Sequence, residues 1–282
     1  MPATQNKHRL AIIGSGDLGS RLCHRLEPSR YDLGLFKRTK PSSLPPSVRI
    51  FLSDYVSGAG MEQIIAYAPT TVVVTLTPSS PSLAGYFEGY VGGAKQLAGR
   101  LSSLSSVKNV IYVSSTRVYA ETEGGWVTEA SALALEDEFC RCLIEAEKVI
   151  SALPMQTSIL RAAGLYSGPS RYYLSRLQRG MKSPCEPPVY TNRIHRDDVA
   201  GFIVHLLEHD LECSPIFNLS DGHPIAKYDF EALVARYYGL DFETLLVDDA
   251  MATQTHKRIS NELMLATGFK LKYPNVEKIY AI

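Results

Sequence analysis

The sequence predicts an α/β fold in which a doubly wound parallel sheet carries most of the chain and a small C-terminal lobe follows. Three observations carry that expectation. Short apolar, β-branched runs alternate with stretches of helical periodicity, the pattern of strands that lie parallel with helices between them. The first run, residues 10–13, ends in Gly14-Ser15-Gly16-Asp17-Leu18-Gly19, after which Leu18, Leu22 and Leu26 recur at helical spacing, so strand, glycine turn and helix follow one another. The length, 282 residues, exceeds the usual single domain and favours one large domain with a smaller lobe.

The glycine turn is the most specific signal. Gly14 suits the tight turn, Gly16 lets a pyrophosphate approach the backbone, and Gly19 lets the helix pack closely on the strand. Amides at the helix start would hold the phosphates. Gly14, Ser15, Gly16, Asp17, Leu18 and Gly19 are therefore candidate dinucleotide contacts, with a plain structural turn as the alternative. A second strand over residues 31–36 ends in Lys37 and Arg38. An NAD-type site places Asp or Glu there for the ribose hydroxyls, whereas cations favour the 2′-phosphate of NADP. NADP is the expected cofactor, with NAD as the alternative, and a solvated basic strand end is the bland reading.

Residues 41–46 read as a proline-rich loop. Residues 48–52 read as a third strand, 61–67 as a helix and 70–76 as a fourth strand ending in Thr77-Pro78. Ligands gather beyond the carboxyl ends of such strands, which makes Thr75, Leu76 and Thr77 candidates for the cofactor's edge. A long helical stretch over 84–104 contains Gly85, Gly89, Gly92 and Gly93, which would allow close packing while weakening the helix. The fifth strand, 107–113, delivers Ser114-Ser115-Thr116-Arg117-Val118-Tyr119 to the same rim. Ser114 is a further candidate cofactor contact. Hydroxyl-rich strand ends are also ordinary turn chemistry.

Composition narrows the partners. Lys plus Arg and Asp plus Glu both number 29, so no overall basic field draws nucleic acid or an anionic membrane. A small molecule is the expected partner, and the sequence leaves an oligomer open. Five cysteines, without a regular framework, read as reduced thiols of a cytoplasmic protein. No secretory signal or membrane span is visible, and no internal repeat emerges.

Several segments together resemble a known superfamily. They are GSGDLG at 14–19, YVSSTRVYA at 112–120, GGWVTE at 124–129, EAEKVI at 145–150, ILRAAGLYSGPSR at 159–171, RIHRDDVA at 193–200, FNLSDG at 217–222 and KRISNELMLATGFKLKYP at 257–274. The chain resembles the extended short-chain dehydrogenase/reductases of the NAD(P)-dependent epimerase/dehydratase superfamily, and more narrowly is similar to an atypical branch that includes the YeeZ-like proteins. The resemblance implies a Rossmann-type sheet with a small C-terminal substrate lobe. It also implies that Ser115, three residues before the Val-Tyr pair, polarises the substrate.

The main departure from that pattern lies in a helix expected over 132–153. The family's Tyr-x-x-x-Lys pair precedes a glutamate that aligns with Glu147, which puts Leu143 at the lysine position and Phe139 at the tyrosine position. Neither transfers a proton. Phe139, Cys142, Leu143, Ala146, Val149, Ile150 and Leu153 read instead as one apolar stripe facing the core. Tyr119, Tyr166 or a water must then replace the missing tyrosine, and the catalytic candidates are Ser115, Tyr119 and Tyr166.

Residues 156–162 read as the sixth strand. Arg171, Tyr172, Tyr173, Arg176, Arg179 and Lys182 form a basic and aromatic stretch suited to an anionic or ring-bearing ligand, or to a solvated helix face. Asp197 or Asp198 is placed to cap a helix running to His209. His205 and His209 have metal-compatible spacing without a third ligand. A last strand is expected over 214–220, with small-lobe helices over 228–238 and 260–267. The expected division is a dinucleotide-binding domain over 1–165 and a substrate lobe over 166–282, with 193–220 returning to the Rossmann core. The expected function is an NADP(H)-binding atypical oxidoreductase or epimerase/dehydratase acting on a small polar, nucleotide-sugar-like substrate. The rival is a non-catalytic NAD(P)-binding sensor.

Overall fold

Strands buried on both faces need apolar side chains at every position, and the runs around Ile12 and Val73 meet that need: Ala11, Ile12, Ile13, Val72, Val73 and Val74 are all fully buried. The computed structural model describes residues 7–14, 16–40, 43–209, 216–251 and 256–280. In chain order it contains β1 (His8–Ile13), α1 (Asp17–Arg25), β2 (Tyr31–Lys37), β3 (Arg49–Leu52), α2 (Gln63–Tyr67), β4 (Thr71–Val74) and α3 (Leu83–Tyr86). A π-helical turn (Phe87–Gly92) leads into α4 (Gly93–Leu101), β5 (Asn109–Ser115), a 3-10 turn (Thr116–Val118), β6 (Glu123–Val127), α5 (Glu138–Ser151) and β7 (Gln156–Ala162). Then follow β8 (Gly164–Tyr166), α6 (Arg171–Gln178), β9 (Met181–Lys182), β10 (Tyr190–Thr191), β11 (Arg193–His195), α7 (Arg196–Glu208) and β12 (Ile216–Leu219). The chain continues with β13 (Ile225–Ala226), α8 (Lys227–Tyr238), β14 (Leu246–Val247), β15 (His256–Ile259), α9 (Glu262–Ala266) and α10 (Glu277–Tyr280).

Seven strands form one parallel sheet in the order β12-β7-β5-β4-β1-β2-β3. The order reverses between β1 and β4, and the crevice beyond the carboxyl ends at such a reversal is where open α/β sheets bind ligands. The glycine turn lies at that point.

The chain divides into two compact units. The first comprises Met1–Val118, Ala134–Arg161 and Ala200–Phe217, and the second Tyr119–Leu133, Ala162–Val199 and Asn218–Ile282. The first unit buries Ile13, Val72, Val74, Leu97, Leu101, Tyr112, Ala146 and Ile150 in one core. The second has its own core around Tyr166, Tyr173, Leu177, Phe230, Val234 and Tyr280, in which Tyr173 meets Phe230 edge-on with ring centroids 4.9 Å apart. Residues 119–133 thus belong to the second unit and 200–217 to the first.

Other differences have local causes. The helix expected over 132–153 starts only at Glu138, because the Asp137 carboxylate accepts from Cys140 N at 2.9 Å and caps it. Before the cap, Ala134 N donates to Val118 O at 2.8 Å instead of into a helix. The helix expected over 84–104 starts at Leu83 under a Ser82 cap and ends at Leu101. Asp198 does not cap α7: its two oxygens accept from Lys272 N and Tyr273 N at 2.8 and 3.0 Å, fixing a distant loop. Among the described residues no helix is long and apolar enough to cross a membrane.

Candidate cofactor site and its rim

The turn after β1 is pinned from below and open above. Gly14 has φ +75°, the left-handed region that glycine adopts readily, and a Cβ there would run into the Thr75 carbonyl. Its N–H donates to Phe36 O at 3.2 Å, and Thr75 Oγ1 donates to Ile13 O at 3.1 Å and to Gly14 O. Gly16 differs, since a Cβ added to it would meet no atom within 4 Å. Leu18 and Gly19 are buried in the first turn of α1, where helix amides lack intrahelical acceptors. Asp17 pairs with Arg21 at 2.9 Å. Ser15 lies outside the described residues.

At the end of β2, Lys37 is half-buried and Arg38 exposed. Neither side chain has an ion pair or hydrogen bond among the described residues. At the end of β4, Thr75 and Leu76 are buried and the Thr75 hydroxyl is committed to the glycine turn, so the edge expected from these two is a backbone edge. Thr77 is exposed, its Oγ1 3.2 Å from Tyr55 Oη.

The two serines ending β5 part company. Ser114 is buried and donates to Glu147 Oε1 at 2.6 Å. Arg161 grips the same carboxylate, from Nη2 at 2.7 Å and Nε at 3.1 Å, so this is a buried, fully engaged cluster of α5, β5 and β7. The hydroxyl of Ser114, a candidate cofactor contact, is thus held inside the unit. Ser115 is half-buried, and its Oγ accepts from Arg117 N at 3.2 Å, which leaves its own proton to donate.

On α5, Leu143, Ala146 and Ile150 are core, as expected. Phe139 is a correction to the expected stripe. Because α5 begins at Glu138, Phe139 falls in the first turn, half-buried, with its ring edge-on to Tyr86 at a centroid distance of 4.9 Å and 5.0 Å from the Arg117 guanidinium carbon. These three side chains and Pro78 to Pro81 line a cavity of about 510 Å³.

Two of the catalytic candidates, Tyr119 and Tyr166, belong to the second unit. Tyr119 is 1% exposed and donates to Asn218 Oδ1 at 2.5 Å. Tyr166 is buried, burial pushes its phenol well up, and it donates to Asn275 O at 3.3 Å. A phenol enclosed in this way with its proton given to a protein acceptor is poorly arranged to protonate a ligand. The basic stretch is also broken up. Arg176 is buried against Glu231 and Asp248 at 2.9 and 2.8 Å, and Lys182 donates to Phe242 O at 3.0 Å, leaving Arg171, Tyr172 and Arg179 exposed. His209 Nδ1 lies 2.9 Å from His205 O, and no group of three or more metal-ligating side chains occurs among the described residues.

Two features of the site were not read from the sequence. Glu147 served only as an alignment anchor, although its burial with Arg161 is what locks β5, α5 and β7 together. Tyr86 carried no motif. Its one signal is the pair of glycines beside it, Gly85 and Gly89, which bring the helix into backbone contact with residues 77–80.

No protein-family model matches the chain, and no curated protein does. Solved structures do. A protein of Methylobacillus flagellatus assigned to the NAD-dependent epimerase/dehydratases is 27% identical with a TM-score of 0.76, the match covering 97% of this chain and 96% of that one. The UDP-glucose 4-epimerase of Thermus thermophilus, in complex with NAD, is 18% identical with a TM-score of 0.78 over 96% of both chains. The Bordetella bronchiseptica enzyme WbmG, in complex with NAD and UDP, is 17% identical with a TM-score of 0.78 over 97% of this chain and 94% of that one. The fold is that of the extended short-chain dehydrogenase/reductase superfamily, and the resemblance seen in the motifs holds across almost the whole chain. The chain departs from that sequence pattern at Phe139 and Leu143, where a tyrosine and a lysine are expected.

Proposed function

We propose that this protein is an NADP(H)-preferring oxidoreductase or epimerase/dehydratase that acts on a small polar substrate of the nucleotide-sugar kind. The observation that carries the reading is the glycine turn at the sheet's reversal, closed beneath Gly14 and open above Gly16. Such a cradle fits a pyrophosphate against the start of α1. The backbone of Gly14, Gly16, Leu18 and Gly19 would hold the phosphates, and Lys37 and Arg38, without carboxylate partners among the described residues, would meet a 2′-phosphate. Thr77 and the backbone at Thr75, Leu76 and Ser114 would border the cofactor. The complexes of the Thermus and Bordetella proteins with NAD support dinucleotide binding, and UDP in the latter supports a nucleotide-linked substrate.

When bound, the nicotinamide supplies hydride chemistry. The chain's own part is to orient the substrate and handle the proton. Ser115 Oγ, with its proton uncommitted, would donate to the reacting oxygen. The absence of a proton-transferring side chain at 139 and 143 favours one second reading, a cofactor-binding sensor without turnover. Mass spectrometry of nucleotide released from the purified protein tests the main reading. NADP or NADPH is expected; a protein that carries no nicotinamide nucleotide and binds none at millimolar concentration overturns it.

A further inference from the structure

Reduction of a carbonyl needs a proton as well as a hydride, and the expected donors are otherwise engaged: Phe139 has no acidic proton, and Tyr119 and Tyr166 donate theirs to protein acceptors. Tyr86 is arranged differently. It stands half-buried at the end of α3, and its Oη accepts from Arg117 Nη1 at 3.4 Å. No protein acceptor takes the phenol's own proton among the described residues. The ring is packed edge-on against Phe139 and lies 5.7 Å from the Arg117 guanidinium carbon. Gly85 and Gly89 fix its height, because a Cβ at either would collide with backbone of residues 77–80.

Tyr86, Phe139 and Arg117 line the roughly 510 Å³ cavity beyond the carboxyl ends of β4 and β5. Arg117 joins the cavity to the candidate serine, since its N–H donates to Ser115 Oγ. An aromatic floor, a phenol with a proton to give, a cation on its oxygen and a neighbouring hydroxyl make an acid site.

From this geometry we infer that Tyr86 is the proton donor of the site and that Arg117 is its positioning residue; the inference rests on the cofactor reading above. In reduction, the proton passes from Tyr86 Oη to the carbonyl oxygen and forms the alcohol O–H. The carbonyl carbon gains the hydride of a reduced nicotinamide dinucleotide, and the phenolate left behind stays hydrogen-bonded to Arg117 until water reprotonates it. In oxidation the phenolate accepts the hydroxyl proton and the oxidised dinucleotide takes the hydride. The substrate class is a secondary alcohol or its ketone, small enough to enter beside Phe139.

Nitration of tyrosines by tetranitromethane, which attacks the phenolate, reads the site without turnover when resolved residue by residue by mass spectrometry. Saturating NADP should slow nitration of Tyr86 at least about fivefold while exposed Tyr172 is unaffected, because a nicotinamide bound beyond the carboxyl ends of β4 and β5 would shield the cavity. In turnover of a nucleotide 4-keto-sugar with NADPH, Arg117→Gln, which removes the donor to Tyr86 Oη, should lower kcat about tenfold or more with KM and cofactor affinity little changed, and Arg117→Lys should restore much of the rate. With a nucleotide 4-keto-sugar and NADPH, Tyr86→Phe should lower kcat by about 10²-fold or more with cofactor affinity unchanged. Calorimetric NADP binding without protection of Tyr86, or an Arg117→Gln rate equal to wild type, or a full-rate Tyr86→Phe enzyme, overturns the inference and leaves the cofactor reading standing. Failure to bind NADP or NAD at all defeats the cofactor reading, and the inference falls with it.

Discussion

At the level of single residues, the two glycines of the first turn do different work, and substitution separates them. Gly16→Val should abolish binding of either dinucleotide while leaving the melting temperature within a few degrees of wild type, because the new side chain points into open space. A valine variant that still binds in calorimetry would put the phosphates elsewhere. Arg38→Ala should weaken NADP about tenfold or more and NAD little, the loss of one charge-assisted contact. Equal losses for both cofactors would remove the 2′-phosphate assignment. Asp221, in the second unit, offers a pH test. It is 3% exposed, its Oδ2 has no hydrogen-bond partner among the described residues, and burial lifts its carboxyl to about 7 against the pull of the His223 amide and Arg193. In the unfolded chain the same group ionises near 3.9. From about pH 4 to 7, therefore, the unfolded state holds fewer protons, and stability falls as pH rises, by at most about 4 kcal/mol. Asp221→Asn should raise the melting temperature clearly at pH 8 and little at pH 4. An equal change at both would contradict this origin.

At the level of elements, the Ser114–Glu147–Arg161 cluster holds β5, α5 and β7 at fixed spacing behind the rim. Arg161→Leu leaves a buried carboxylate without its cation and should destabilise the fold by about 3–5 kcal/mol. Ser114→Ala removes one hydrogen bond and should lose about 1–2 kcal/mol. Urea denaturation measures both, and an Arg161→Leu loss below about 1 kcal/mol would mean that Glu147 is solvated. None of this was visible in the sequence, because burial of a charge depends on a partner that only the fold brings near. The central strands were visible, since β1, β2, β4 and β5 are largely apolar runs buried on both faces, and β7 matches its expected span of 156–162. The helix before it was not, because Ala132 to Leu135 have helix-favouring side chains while their backbone is taken by Val118 and Ala120. Propensity lost to tertiary pairing there, and the misplaced start put Phe139 in the core when it lines a cavity.

For the whole molecule, the glycine turn, the basic end of β2, the hydroxyls ending β5 and the Tyr86 cavity all lie in one unit, at the carboxyl ends of strands flanking the sheet's reversal. The sequence revealed the turn and the serines because their motifs are local. It could not reveal that Tyr119 and Tyr166 hydrogen-bond inside the second unit, since their partners lie 99 and 109 residues away. The central claim is that the first unit binds a phosphorylated dinucleotide in that turn. Calorimetric titration of the intact protein with NADP and with NAD tests it most directly. Saturable binding of NADP, at least about tenfold tighter than that of NAD, is expected. Binding of neither, or tighter binding of NAD, would contradict it.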